Sequence, residues 1–344
     1  MEEVNELIEQ RYTNLGRMKD RGINPFGEGF SGASSIDSVK EPFEEGKEVR
    51  IAGRIMARRE HGKSAFLDIK DRSGRIQVYF RKDLIGEQAF DDLKTVDIGD
   101  IMGVDGKLFM TRSGEKTMQV SSFRILSKSL LPLPEKWHGL KDVETRYRQR
   151  YVDLIVNDSA RDKFLKRIQL VTHIREKLNS KGFLEVETPM MHPIPGGAAG
   201  KPFKTHHAAL DMDLYLRIAP EIYLKKLLVG GLEKVYEINR SFRNEGISTR
   251  HNPEFTMMEV YQAYSDCDGM MALTEELIRS AAMEILGTEK FVYQDREIDL
   301  THWKKVSFAE LMATNFGIKV DDPVGEWVIK ATSDLTPAVA SFFC

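Results

Sequence analysis

Between residues 49 and 127 the chain alternates apolar and polar side chains with a period of two, in five short runs. These runs cover 49–58, 65–71, 75–80, 100–109 and 117–126, and each reads as a β-strand. Asp71-Arg72-Ser73-Gly74 and Thr111-Arg112-Ser113-Gly114-Glu115 carry hairpin-turn chemistry between them. Five short strands in about 80 residues predict a small closed barrel. Before it, Val4, Leu7, Ile8, Leu15 and Met18 recur at near-helical spacing over residues 1–20. After it, Leu130-Leu131-Pro132-Leu133-Pro134 reads as a stiff, extended linker. The 344 residues then suffice for a second domain. The expected organisation is a helix and connection over 1–45, a barrel over 46–128, a linker over 129–146 and a larger domain over 147–344. The predicted class is α+β.

Charge sharpens the first domain. The whole chain carries a formal net charge of −3, yet residues 50–82 hold ten Lys or Arg against three acids. That local balance of +7, interleaved with aromatic and aliphatic residues at strand period, points to nucleic acid and to the five-stranded oligonucleotide-binding barrel. Ala57-Arg58-Arg59-Glu60-His61-Gly62-Lys63-Ser64 mimics a phosphate-binding loop. A strand pattern follows it where such a loop needs a helix, so that reading is rejected.

No run of about 18 apolar residues exists, so no membrane span is expected. The acidic, polar start Met1-Glu2-Glu3-Val4-Asn5-Glu6 is unlike a leader peptide, and the expected address is the cytoplasm. Two cysteines, Cys267 and Cys344, form no disulfide framework and no zinc spacing. Cys267 is expected to be a small buried hydrophobe. Adjacent His206 and His207 would diverge on a strand edge, so no metal site is expected. Met257, Met258, Met270 and Met271 are expected to pack.

The second half concentrates chemistry on strand faces. Residues 214–221, 236–245 and 255–261 read as strands, with Glu221, Arg243, Glu245, Phe255, Glu259 and Tyr261 on polar or aromatic faces. A sheet with one apolar face packs on helices and can leave the other face open for a ligand. Arg243 offers a planar fork for phosphate or carboxylate and can offset charge developing at phosphorus. Arg250 and His251 are tips for polyphosphate. Phe255 offers a ring for a purine, and Glu259 with Tyr261 makes an anionic, aromatic site for a cationic head.

Phe242-Arg243-Asn244-Glu245-Gly246 followed by Arg250-His251-Asn252-Pro253-Glu254-Phe255-Thr256-Met257-Met258-Glu259 resembles motif 2 of class II aminoacyl-tRNA synthetases in its lysine-specific form. Residues 164–191 resemble motif 1, which builds the family's dimer interface and ends at Pro189. Pro195-Gly196-Gly197-Ala198, the stretch 217–225 and the stretch 146–154 fit the same pattern, and the likeness runs from about residue 5 to about 325. It implies ATP, lysine and tRNA(Lys) as substrates, Mg2+ as the accompanying ion, and a homodimer. By this resemblance Arg243 is the catalytic residue, binding the α-phosphate and the lysine carboxylate. Glu245 and Asn252 contact adenine, Phe255 stacks on it and His251 reaches the γ-phosphate. Gly197 and Glu221 hold the α-amino group, with Glu259 and Tyr261 near the ε-ammonium. In the barrel Phe66 stacks an anticodon uridine while Arg58, Gln77 and Glu115 read base edges, as single-stranded RNA is generally read.

The family's third motif, Gly-x-Gly-x-Gly-x-x-Arg, does not occur after Tyr261. The region expected to carry the magnesium-binding carboxylates is missing with it. The catalytic sheet is therefore expected to be incomplete at its C-terminus, the charge-poor residues 331–344 to be foreign to the family, and lysine activation by this chain alone to be poor. A non-catalytic tRNA-binding paralogue, or an inactive truncated product, is the alternative.

Overall fold

The computed structural model describes residues 2–27, 29–134, 140, 142–248 and 251–317, with side chains from Glu6 onward. The expected foreign tail and Arg250 lie outside the described residues. The chain divides into two compact units, Met1–Arg161 and Asp162–Cys344. Residues 147–161, expected with the larger domain, therefore group with the first unit.

The first unit opens with helices α1 (Glu2–Asp20) and α2 (Ile36–Lys40), followed by strands β1 (Glu48–His61), β2 (Ser64–Lys70) and β3 (Arg75–Arg81). Two short helices, α3 (Lys82–Ile85) and α4 (Glu87–Leu93), precede β4 (Ile101–Met110) and β5 (Lys116–Ser127). Helices α5 (Val143–Arg148) and α6 (Arg150–Val156) complete it. The strands close a barrel in the order β1-β2-β3-β5-β4, with β4 pairing back onto β1. Every pairing is antiparallel except β3 with β5. Period-two alternation sends Ile51, Leu67, Ile69, Val78, Phe80, Val104, Met118 and Val120 inward, all fully buried. Each such side chain contributes about 1.5–3 kcal/mol of transfer free energy. Residues 57–64 form the β1–β2 hairpin, not a phosphate loop.

An ionic cluster seals one end of the barrel. The Lys128 ammonium is fully buried and pairs with Asp97 and with Asp100, the latter at 2.8 Å. Arg11 of α1 donates to the Ser129 and Ile98 carbonyls, both at 2.8 Å, and Asn14 donates to Asp97. Burial raises the Asp100 carboxyl above its ordinary range, and the Lys128 charge opposes that shift. Lys128→Met is expected to leave two acids facing one another without their cation, lowering the barrel's stability by about 3–5 kcal/mol. Urea denaturation followed by barrel tryptophan-independent circular dichroism would show an unchanged midpoint if the cluster were dispensable.

The second unit is built on α7 (Asp158–Ser180), β6 (Leu184–Glu185), β7 (Met191–His192), β8 (Lys204–His207), β9 (Met212–Leu216) and α8 (Glu221–Val229). Then come β10 (Lys234–Phe242), β11 (Glu254–Gln262), α9 (Cys267–Leu286), β12 (Lys290–Tyr293), β13 (Arg296–Asp299) and α10 (Phe308–Phe316). The long strands β10 and β11 pair antiparallel, while the short β6 runs parallel to β10. Leu178 of α7, Phe183, Tyr236, and Leu273 and Leu277 of α9 form the core behind this sheet. Asp266 caps α9 by accepting from the Gly269 amide, and Gly287 ends it in the left-handed region at φ 70°.

Several expectations need correction. The strand expected over 214–221 stops at Leu216, and Glu221 opens α8 instead. Pro220 lacks the amide that a sheet ladder needs and sits in helical geometry at the start of α8. Cys267 is exposed rather than buried, because it begins α9 at the surface. Met270 packs against the core, whereas Met258 and Met271 are exposed.

Candidate active site and nucleic-acid interface

The β10–β11 register sets the floor of the candidate site. Glu237 lies opposite Glu259, Asn239 opposite Met257 and Ser241 opposite Phe255. The face expected to be open is buried along β10, where Glu237, Asn239 and Ser241 are all at most 5% exposed. It remains polar because its groups satisfy one another. Ser241 donates to the Asn239 side chain at 2.9 Å, and Glu237 is engaged by Arg217.

Arg217 is the organiser. Its guanidinium is buried, with Nη1 2.6 Å from Glu237 Oε1 and 3.1 Å from both the Thr188 carbonyl and hydroxyl. Its Nε donates to the Arg240 carbonyl at 2.8 Å. Thr188 in turn donates to Glu237 Oε2 at 2.7 Å. Four contacts from this one side chain lock the segment leaving β9 against β10. Arg217 is thus committed to structure.

Around this lock the predicted residues fall into two groups. At one end of β11, Tyr261 donates to Glu259 Oε2 at 3.1 Å. Burial lifts the Glu259 carboxyl above its ordinary range, with Glu221 and Glu237 adding to the shift and the Tyr261 hydroxyl opposing it. Burial beside Glu259 also raises the Tyr261 phenol. Gly197 belongs here: at φ +92° it takes a conformation open to glycine, and a Cβ there would stand 3.1 Å from Glu221 Cβ. Glu221 itself pairs with Lys225 one turn along α8 at 2.5 Å.

At the other end, the Arg243 guanidinium carbon lies 5.4 Å from the Phe255 ring centroid, a cation–π arrangement. Arg243 Nε is buried without a hydrogen-bond partner among the described residues. The Gly-rich loop reaches this end too: a Cβ on Gly200 would stand 3.3 Å from both Arg243 Cδ and Glu245 Oε1. Asn244 donates from its amide to the Lys201 carbonyl at 2.7 Å, tying loop to strand. His251 is exposed and its Nδ1 lies 2.9 Å from the Ser248 hydroxyl; Asn252 is exposed beside it. Pro189 is exposed, and its carbonyl is 2.8 Å from His192 Nε2. His206 turns to Asp213 while His207 accepts from the Leu210 amide, so the two imidazoles diverge.

On the barrel, cross-strand register decides which side chains share the outer wall. Arg59 lies opposite Phe66, Phe66 opposite Tyr79, Asp68 opposite Gln77 and Gln77 opposite Thr117. The Phe66 and Tyr79 rings stack at 4.5 Å and 20°, with Phe109 6.0 Å from Tyr79. Gln77 accepts from Thr117 at 3.1 Å, and exposed Glu115 lies two residues before Thr117. Arg58 does not join them. It pairs with Leu67 in the register of the inward face, and its guanidinium binds the Val96 carbonyl and Glu60. The arginine on the aromatic wall is Arg59, held by Asp68 at 3.3 Å. Its position was legible in principle, since the two-residue turn between His61 and Ser64 makes 59 and 66 partners.

Comparison with known proteins agrees with both units. Residues 142–333 match the family profile described as tRNA synthetases class II (D, K and N). Residues 49–126 match an OB-fold nucleic acid binding domain. The chain belongs to the class II tRNA synthetases. Within that family its similarity is to lysine–tRNA ligases. It is 56% identical to the enzyme of Carboxydothermus hydrogenoformans, over 94% of this chain and 67% of that one. It is 54% identical to that of Syntrophomonas wolfei (92% and 64%) and 56% identical to that of Pelotomaculum thermopropionicum (92% and 63%). The chain spans about two thirds of the length of these curated relatives.

The buried Arg217–Glu237 pair makes a two-part prediction. Arg217→Met alone should cost about 3–5 kcal/mol by stranding a buried carboxylate, whereas adding Glu237→Leu should recover most of that loss. Thermal unfolding of the two variants compares them directly; equal melting temperatures would mean that the pair is not what the site rests on.

Proposed function

We propose that the protein acts in lysine–tRNA ligation: ATP-dependent activation of lysine to lysyl-adenylate, followed by transfer to tRNA(Lys). The observation that carries this reading is the placement of a phosphate-competent arginine and an anionic pocket on one sheet. Arg243 stands by Phe255 at one end of β11, and Glu259, Tyr261 and Glu221 cluster toward the other. A molecule bearing a carboxylate at one end and an ammonium at the other fits that polarity.

The reaction needs no protein nucleophile. The lysine carboxylate attacks the α-phosphorus in line and pyrophosphate leaves, so catalysis is positioning plus charge stabilisation. Arg243 would hold the attacking carboxylate and the α-phosphate together and offset the charge that develops there. Phe255 would offer its ring to adenine, with Glu245 and Asn252 at the base edges and His251 toward the γ-phosphate. Gly197 and Glu221 would hold the α-amino group, and Glu259 with Tyr261 the ε-ammonium. Mg2+ would accompany ATP; among the described residues no group of three or more His, Cys, Asp or Glu is arranged to hold a metal ion.

The outer wall of the barrel, with Phe66, Gln77 and Glu115, would take the anticodon. A homodimer is supported by α7, whose first half exposes Phe164, Ile168 and Leu170, continuing to Leu184, Met190 and Met191. Among the described residues no helix is long and apolar enough to cross a membrane. Translation places such an enzyme in the cytoplasm.

Lysine-dependent ATP–pyrophosphate exchange tests the activity, with Arg243→Ala expected to reduce it at least 100-fold. Anticodon-dependent tRNA binding without exchange at saturating lysine would instead assign this chain to binding alone. The pocket carries its own pH signature. Burial lifts the Glu259 carboxyl above its ordinary value, and it must be ionised to receive an ammonium, so at pH values below that raised pKa lysine binding is coupled to release of a proton. Affinity is therefore expected to fall as pH drops through that raised value, by up to about tenfold per pH unit. Calorimetry at several pH values reads this, and Glu259→Gln should both weaken binding and flatten its pH dependence.

A further inference from the structure

On the barrel's outer wall, the ring assigned to base stacking is not free-standing. Phe66 on β2 and Tyr79 on β3 are direct cross-strand partners, with ring centroids 4.5 Å apart and planes within 20° of parallel. Tyr79 is in turn flanked by Phe109 at 6.0 Å and 49°, a tilted contact that supports its far side. Both Phe66 and Tyr79 are only partly buried. The inward neighbours Leu67, Val78 and Phe80 fill the barrel, so core packing does not require an aromatic ring at position 79.

We infer that Tyr79 is a positioning residue for RNA recognition, holding the Phe66 ring in the orientation in which an unpaired base stacks on it. The inference rests on the anticodon reading of this wall. Its physical basis is conformational. A lone, half-exposed phenylalanine rotates about χ1 and χ2, and ordering it on binding costs free energy. A stacked partner with its own support pre-orders the ring before the base arrives, and the offset-stacked pair is itself favourable. The same register row ends in Arg59, whose guanidinium is held by the buried Asp68 carboxylate beside the stack. A base on Phe66 would therefore meet a ring and a donor that are both fixed in advance.

The test is binding of the full chain to an anticodon stem-loop RNA carrying unpaired uridines, with a fluorescent base analogue at the stacked position. Phe66→Ala is expected to weaken binding about 5- to 150-fold, the range of one lost base–aromatic stack. Tyr79→Ala and Tyr79→Leu are both expected to weaken it about 2- to 12-fold and to relieve the quenching of the analogue. Tyr79→Phe is expected to restore affinity and quenching. In a Phe66→Ala background, Tyr79→Leu should add no further loss, because the ring it positions is gone. Leucine keeps apolar bulk at position 79, so a melting temperature near that of the parent separates lost positioning from lost folding. Wild-type affinity and quenching in Tyr79→Leu, with Phe66→Ala impaired, would overturn the inference while leaving the anticodon reading intact. Unimpaired binding by Phe66→Ala would overturn both.

Discussion

The ion pair between Arg217 and Glu237 is the contact on which the candidate active site depends. Arg217 donates to groups from two other stretches of chain: Thr188 beyond β6, and Glu237 with the Arg240 carbonyl in β10. Its own amide donates to the Met190 carbonyl at 2.8 Å. One side chain thereby fixes where the segment leaving β9 runs before it enters α8. That segment carries Ala219 and Glu221, the two residues against which Gly197 packs. The net stabilisation of such a buried pair relative to a hydrophobic one is small or negative, so what it contributes is a unique geometry. It also tunes the pocket it builds. Glu237 raises the neighbouring Glu259 carboxyl and Arg217 opposes it, both acting through the low dielectric of the same enclosure.

The barrel solves a different problem with simpler means. Closure in the order β1-β2-β3-β5-β4 leaves each strand one inward and one outward face. Aliphatic residues saturate the inside, while the outward positions are mostly polar or aromatic, with Asp68, Gln77 and Thr117 buried among them. Rings and amides there can be arranged for a ligand. Two neighbouring rows result, one running Arg59, Phe66, Tyr79 and Gln119, the other Ala57, Asp68, Gln77 and Thr117. The first supplies flat surface, and the second supplies hydrogen-bonding edges anchored by Thr117 and Asp68.

The five strands were legible because a small barrel enforces strict alternation, and their observed ends lie within a few residues of the expected ones. The second unit was less legible. Alternation from Leu214 continues unbroken through Glu221, yet Pro220 ends the ladder and a helix begins, a competition that period-two counting does not weigh. The polar face of β10 read as open because its residues are those of a ligand platform. Glu237, Asn239 and Ser241 instead satisfy their hydrogen bonds among themselves and with Arg217, which depends on a partner 20 positions away. Adjacent Arg58 and Arg59 look alike in the sequence, and only the hairpin register sends them to opposite faces.

Charge is held differently in the two units. The barrel's excess of cations is less free than its count suggests. Arg59 and Arg75 both reach Asp68, Arg50 holds Asp105 and Arg81 holds Asp83. The Arg50–Asp105 and Arg81–Asp83 pairs are solvent-exposed, and exposed pairs are worth roughly 0–1 kcal/mol each. Breaking one of these two therefore costs little, whereas Asp68 is buried and would be costly to strand. In the second unit the charges that matter are buried, where an unpaired group is expensive and exchange is not cheap. A weakly held cationic surface suits a large polyanion that must bind and leave. A deeply held anionic pocket suits a small cation.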